Sequence, residues 1–327
     1  MGTEIDCREA AEGIREIGRS EVIPSFGDHE GAGIREQLFD AGEIKLNYAE
    51  TPDTGPALVL LHGLGRRWQV LLPLIPSLAA RWHIYAPDLR GHGKSTHVPQ
   101  GYRVSQYADD IVKFLRATVI EPVILFGHSL GGMVSMWIAA HHPELVRALI
   151  LGDNVISGYG FEHSMYPTLF AGLRDLVSKG GSIEAIAQGL ARIQLQVPRL
   201  EELVPIGDLP GNDEAHLLWW ARCLQGVDPD AFSMTLDQSS FQEWDGENLL
   251  RQIHCPTLLL QANPELGGLM SDTDVERALE LVPDAFHVRF PTLGHALYIQ
   301  QAEPVLRAVN DFLESLRPMP GKKTSSL

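Results

Sequence analysis

Cysteine is scarce in this 327-residue chain, and the three present, Cys7, Cys223 and Cys255, are scattered without a C-x-x-C pair. That excludes a disulfide-stapled miniprotein and leaves no zinc or thiol-redox motif, so a reducing, cytoplasmic setting is expected. Long apolar runs are missing as well: stretches such as ALVLL at Ala57–Leu61 are far shorter than the roughly 20 residues a bilayer crossing needs. Positive charge is short: 26 Lys and Arg stand against 42 Asp and Glu, a net charge of −16. This repels phosphate backbones and anionic lipid, so neither nucleic acid nor a membrane is expected as partner. The N-terminus MGTEIDCREA carries acids where a secretory signal has basic and apolar residues, and Asp6 stands where a myristoylation motif has Ser or Thr, so no leader is expected. What remains is 44% hydrophobic and 21% charged, the balance of a globular chain able to bury a large core.

From about residue 33, short β-rich runs alternate with longer helical ones. IREQLFDAG and EIKLNYAET read as an opening hairpin, followed by six apolar strands: ALVLLHG, WHIYAPD, PVILFG, RALILGD, PTLLLQA and AFHVRF. Their near-continuous apolarity predicts burial on both faces of a parallel sheet. Helical spacing is predicted over Pro73–Ala80, Val104–Ala117, Leu130–His142, Asp272–Leu281 and Glu303–Leu316, with Pro73 opening the first. The alternation breaks over 155–247, where helical patterns around Leu169–Val177, Ile183–Leu195 and Glu214–Leu224 come without a convincing strand. The organisation read from this is an N-terminal extension over 1–30, helical around Arg8–Arg19, a core over 31–154 and 248–317, a helical cap over 155–247, and a disordered tail over 318–327. No repeat of a solenoid period is present.

The most informative segment is PVILFGHSLGGMVSMWIAAHHP, in which a strand runs through Gly127-His128-Ser129-Leu130-Gly131-Gly132 directly into a helix. This is G-x-S-x-G in the context that gives it chemical meaning. A turn this sharp strains the serine backbone, and strand and helix approach so closely that Gly127 and Gly131 must lack side chains. The hydroxyl is lifted clear of the sheet, with the N–H groups of the helix aimed at any negative charge forming beside it. The plain alternative is a Gly-rich turn with a serine helix cap. The spacings of a phosphate-binding or dinucleotide-binding loop are absent.

On these residues the sequence resembles the α/β-hydrolase superfamily. HGLG at His62–Gly65 is similar to its oxyanion loop, DLRGHGKS at Asp88–Ser95 to its signature after the next strand, GHSLGG to its nucleophile elbow, and LGH at Leu293–His295 to its catalytic-histidine loop. The resemblance implies an eight-stranded, mostly parallel sheet flanked by helices, with the cap inserted after strand six.

A serine hydroxyl needs an imidazole to take its proton and return it to the leaving group. Among thirteen histidines, His295 follows the last strand and fits the Ser…acid…His order of this fold. His62 and His128 are read as incidental to backbone motifs, His92 as part of its loop, and His141 and His142 as a helix end. Two acids remain open. Asp153 ends RALILGD, and Glu265 stands in Ala262-Asn263-Pro264-Glu265, where relatives usually read G-x-x-D. Asp272 and Asp274 are read as caps of the following helix, and Asp88 and Arg90 as loop pins. The elbow supplies one oxyanion N–H from Leu130, and the resemblance implies Leu64 for the other. No H-E-x-x-H or similar ligand spacing appears, so no metal or cofactor is expected. A serine in the elbow argues against the dehalogenase and epoxide-hydrolase branches, which use a carboxylate there.

The cap carries Phe161, Met165, Tyr166, Phe170, Trp219, Trp220, Phe232, Met234, Phe241 and Trp244. Most are read as cap core, with a minority facing the cleft and favouring a hydrophobic, neutral small molecule. The function expected is a serine hydrolase cleaving a carboxylic ester or lactone through an acyl-enzyme. The alternatives are a C–C bond hydrolase or cofactor-free perhydrolase on the same residues, and a non-catalytic small-molecule receptor. An exposed apolar cap surface would support a homodimer.

Overall fold

The computed structural model describes residues 33–316 apart from 163, 197–201 and 210. The expected extension helix, the tail and Cys7 lie outside the described residues.

Strands β1 (Arg35–Asp40), β2 (Lys45–Glu50), β3 (Ala57–Leu61), β4 (His83–Pro87), β5 (Val123–His128), β6 (Val146–Gly152), β7 (Gln194–Leu195), β8 (Val204–Pro205), β9 (Thr257–Ala262) and β10 (Ala285–Phe290) follow in chain order. Eight of them make one sheet in the order β1-β2-β4-β3-β5-β6-β9-β10. The pairs β1–β2 and β2–β4 are antiparallel and the rest parallel, so the sheet is the eight-stranded, mostly parallel one expected. Every residue of β5 and β9 is buried, as continuous apolar runs require at the centre of a sheet covered on both faces. The last strand departs from that expectation. In AFHVRF only Phe290 is buried, because β10 is an edge and Phe286 faces solvent at 45% exposure.

Helices Ile75–Leu78, Val104–Thr118, Leu130–His141, Asp272–Leu281 and Ala302–Ser315 pack about the sheet. The first opens at Ile75, two residues later than expected: the chain first makes a 3-10 turn over Trp68–Leu71, and Pro76 occupies the first helical turn, where its missing N–H has no partner to lose. The Leu130–His141 helix is apolar on nearly all sides and lies against β5 and β6, buried except at Leu130, Trp137 and His141. The helix after β9 is capped by Ser271, whose hydroxyl accepts from the Asp274 N–H, and not by Asp272. Asp272 instead accepts a hydrogen bond from Gln261.

Between β6 and β9 lie helices Tyr159–Glu162, Tyr166–Lys179, Ile183–Ala191, Glu214–Leu224, Pro229–Leu236 and Gly246–Gln252. Two-residue β7 and β8 pair there, although no strand was expected; a ladder that short carries no alternating pattern. The last of these helices packs on Leu130–His141 and so belongs to the core layer. The remainder is tied to the loops after β3 and β4. The Asp228 N–H donates to the Gly91 carbonyl at 2.8 Å, and the Tyr102 hydroxyl donates to the Asp228 carboxylate at 2.6 Å. Phe232 packs so closely on Gly65 that a Cβ there would lie 3.0 Å from its ring.

Candidate active site

The parallel strands end at one edge of the sheet, and their C-terminal loops assemble the site. β5 stops at His128 and the next helix starts at Leu130, so Ser129 alone makes the turn, with φ 54° and ψ −120°. This region is rarely adopted by a non-glycine residue and costs on the order of 1–3 kcal/mol, which the surroundings must offset. They do so in specific ways. The Ser129 N–H donates to the Gly152 carbonyl at 2.9 Å. A Cβ on Gly127 would stand 2.1 Å from the Gly131 oxygen, and one on Gly131 would stand 2.2 Å from the Leu61 oxygen. Both glycines are therefore steric requirements. The Ser129 hydroxyl makes no capping bond to the helix behind it, which removes the helix-cap reading.

The HGLG loop passes directly over the serine: a Cβ on Gly63 would lie 3.1 Å from the Ser129 Cβ and 3.5 Å from its Oγ. The Leu130 N–H sits at the first helical position, where no carbonyl within the helix reaches it. The two N–H groups after Leu64 are both taken, Gly65 donating to His92 and Arg66 to the Gly63 carbonyl. His62 and His92 are braces between two loops, and the reading of His62 as incidental is corrected here. The Nε2 of His62 accepts from the Leu89 N–H at 3.0 Å while its Nδ1–H donates to the Gly63 carbonyl. The Nε2 of His92 accepts from Gly65, and its Nδ1–H donates to the Arg90 carbonyl. Both rings are fully buried, and burial pushes their pKa down to about 4 and about 3, so each stays neutral and can accept through Nε2.

Asp88 and Arg90 hold the neighbouring loop. The Asp88 carboxylate accepts from the Trp68 N–H at 2.7 Å, the Asn47 amide at 2.8 Å and the Lys94 N–H at 3.1 Å. Arg90 makes a bidentate pair with Asp110 at 2.6 and 2.7 Å.

His295 points its Nδ1 at Asp153, 2.7 Å from Oδ2. Asp153 is wholly buried at φ 45°, and its carboxylate also accepts from the backbone N–H groups of Ala262, Leu269 and Met270 at 3.1, 2.8 and 3.2 Å. Four donors fix both oxygens, so the carboxylate cannot turn away from the imidazole. Of the two acids left open by the sequence, the structure brings Asp153 to His295. Glu265 sits exposed on the 3-10 turn Pro264–Leu266, which Asn263 caps by accepting from the Glu265 N–H. His128 is no bystander either: its Nε2–H donates to the His295 carbonyl at 2.7 Å, and the two rings lie 4.7 Å apart. Burial and the adjacent His295 hold its pKa well below the ordinary value.

Ser129, His295, Gly63 and Leu64 line one cavity of about 1170 Å³, including its solvent-open mouth. The helical segment between β6 and β9 roofs it. Met165, Tyr166, Phe170 and Trp220 face inward, whereas Phe161, Trp219 and Phe232 are buried in the body of that segment. The Tyr166 ring meets the His295 ring edge-on at 5.1 Å, and its hydroxyl donates to the Gly267 carbonyl. Arg66 and His216 also line the cavity. Sequence reasoning assigned neither a role: nothing but adjacency to HGLG marks Arg66, and His216 sits on an ordinary helix. Among the described residues, no three His, Cys, Asp or Glu side chains cluster as a metal ion would need, and no helix is long and apolar enough to cross a membrane.

A parallel sheet whose C-terminal edge carries a strained serine elbow, a glycine loop above it and a late histidine on a buried acid defines a class. The chain belongs to the alpha/beta hydrolase fold family, whose model matches residues 56–302. It is 40% identical over 114 residues to 2-(acetamidomethylene)succinate hydrolase of Mesorhizobium japonicum, a match covering 35% of this chain and 41% of that protein. It is 28% identical over 273 residues to a pimeloyl-[acyl-carrier protein] methyl ester esterase of Chromobacterium violaceum, covering 82% of this chain and 98% of the relative. Among solved structures, an E-2-(acetamidomethylene)succinate hydrolase superposes with a TM-score of 0.61 at 26% identity, over 86% of this chain and all of the other.

Proposed function

We propose that the protein is a serine hydrolase acting on an activated carbonyl, an ester or lactone, of a small molecule with a substantial apolar part. The observation that carries this is the combination, in one cavity, of a strained Ser129 whose hydroxyl caps nothing and a His295 held on Asp153. In this reading Ser129 Oγ attacks the carbonyl carbon and passes its proton to His295 Nε2. The N–H groups of Leu130 and Leu64 receive the developing oxyanion, and Asp153 stabilises the imidazolium. His295 then protonates the departing alkoxide, and in the second half-reaction it activates water to release the acid. His128 holds the His295 loop through its carbonyl. The ester-cleaving relative supports ester chemistry, and the succinate-derivative hydrolase supports a hydrolase of small acids. The free thiols of Cys223 and Cys255 support a reducing, cytoplasmic setting.

The test is covalent labelling. A fluorophosphonate probe is expected to modify Ser129 alone, and Ser129→Ala is expected to lose both labelling and turnover of p-nitrophenyl esters. Full ester turnover by Ser129→Ala would overturn the proposal. Adding a vinylogous diketone to the panel separates ester from C–C cleavage by the ratio of kcat/KM.

A further inference from the structure

Three arginines sit near the loops of the active site, and their partners differ. Arg90 is buried and answered by Asp110 at 2.6 Å. Arg67 lies 3.8 Å from Glu36. Arg66 lines the cavity itself, and among the described residues no carboxylate pairs with it. Its Nη1 is buried without a hydrogen-bond partner. Its guanidinium lies over the Trp220 ring, 4.1 Å from the centroid, with Trp219 at 5.9 Å. Indole faces stabilise a cation and hold its plane, but they accept none of its N–H groups. A desolvated guanidinium with an unmet donor is unfavourable unless an acceptor arrives.

A second unmet group stands beside it. His216 lines the same cavity, its Nδ1 is buried and unpartnered, and its ring lies 6.3 Å from that of Trp220. Burial and the nearby Arg66 push its pKa down to about 4, so at neutral pH it adds a hydrogen-bond donor or acceptor without adding charge. Among the described residues the lining therefore offers one fixed positive charge, a flat fork of donors, the amides of Asn212 and Gln300, and an apolar wall of Met165, Leu169, Phe170 and Leu173. One charge and a planar fork match a carboxylate. A phosphate dianion would call for further cations, and among the described residues the lining holds no other Lys or Arg.

We propose that Arg66, with His216 beside it, is the carboxylate-recognition group of this cavity, and that the substrate is a small monoanion bearing a free carboxylate besides the carbonyl attacked by Ser129. This rests on the serine-hydrolase reading above and revises the neutral substrate expected from the net charge. The overall −16 acts at long range through salt-screened water, whereas Arg66 acts at contact in a desolvated pocket.

The experiment compares two esters that differ in one charge: mono-4-nitrophenyl glutarate, with a free carboxylate, and its methyl-capped neutral counterpart. The wild-type protein is expected to favour the charged ester in kcat/KM by about 10²-fold, the scale of leaving one buried donor unsatisfied. Arg66→Gln is expected to bring that ratio to about 1 or below, and Arg66→Lys to restore part of it. A wild-type ratio at or below 1, or a ratio unmoved in Arg66→Gln, overturns the proposal.

A binding arm needs no chemistry. Monomethyl glutarate and dimethyl glutarate are titrated by calorimetry into Ser129→Ala and into Ser129→Ala carrying Arg66→Gln. Tighter binding of the monoanion, lost with Arg66, supports the subsite, and equal binding of the two sinks it. Should neither ester turn over and Ser129 resist the fluorophosphonate, the hydrolase reading fails while the titration still decides the carboxylate.

Discussion

The loops at the strand ends and the helices that roof them solve different problems with different materials. The loop layer is held by backbone. Gly127 and Gly131 leave no room for a Cβ, the Asp153 carboxylate is caught by three peptide N–H groups, and His62 and His92 lace two loops together through main-chain atoms. The roof is held by side chains, with the Phe170 ring packed at a tilt among those of Phe161, Tyr166 and Phe232 at separations of 5.7–5.8 Å. Backbone-built sites tolerate little change and position atoms finely, whereas side-chain walls repack and set what fits. On the function proposed above, the contrast places chemistry in the lower layer and, apart from Arg66 on its loop, selection in the upper one.

The largest expected effect tests the lower layer. Ser129→Ala should lower kcat by about 10⁶-fold, the scale measured for nucleophile loss in a serine triad. Asp153→Asn should cost about 10⁴-fold, because the imidazole loses both its orienting partner and the charge that stabilises its cation. Glu265→Gln, on its exposed turn, should stay within twofold of wild type. Steady-state kinetics on a p-nitrophenyl ester reads all three. A loss at Glu265 matching that at Asp153 would contradict the geometry at His295.

The seam between the layers comes next. Phe232 is fully buried and pressed on Gly65, the residue after Leu64. Phe232→Ala should open a cavity and remove about 3–5 kcal/mol of stability, read as a shift of the urea midpoint without a change in m. If instead the midpoint holds while kcat collapses, the seam positions the His62–Gly65 loop without stabilising the fold.

Legibility followed the same division. The strands, the elbow and the late histidine were readable because each is set by local backbone demands: glycines two places either side of the serine, apolar runs for buried strands, a motif order along the chain. The edge position of β10 was not read, although His287 and Arg289 alternate in AFHVRF and mark a solvent-facing side that the sheet order then explains. The acid stayed ambiguous because the ends of β6 and β9 are adjacent in the sheet, and either can reach the histidine loop. His128 and Arg66 were missed for a related reason: what each touches is supplied by residues distant in the chain, the His295 carbonyl and the Trp220 ring.

The buried braces give the lower layer an acid limit that the roof does not share to the same degree. His62 and His92 titrate near the ordinary value of about 6.5 when unfolded, but at about 4 and about 3 when folded. Below pH 6.5 the unfolded chain binds protons that the native state refuses. Their contribution is therefore complete above that pH and declines as pH falls toward 4, by up to ~1.4 kcal/mol per pH unit for each ring. Denaturant melts at pH 7, 6 and 5 should show this slope, reduced when His92 is replaced by Asn, which keeps an acceptor without a titrating ring. A slope unchanged in His92→Asn would remove that histidine from the account.

The smallest effect is expected in the roof. Met165 is half-buried, lines the cavity, and packs with its terminal methyl close to Gly267. Shortening it to alanine deletes apolar area that substrate and transition state touch alike, so the loss should be uniform: KM rises about 3–10-fold for longer acyl chains while kcat stays near wild type. For acetyl esters, too short to reach the wall, the change should vanish. A chain-length series in Met165→Ala tests this. A fall in kcat independent of chain length would mean that Met165 steadies the Tyr166 ring against His295, and the division between a catalytic floor and a selective roof would need redrawing at that residue.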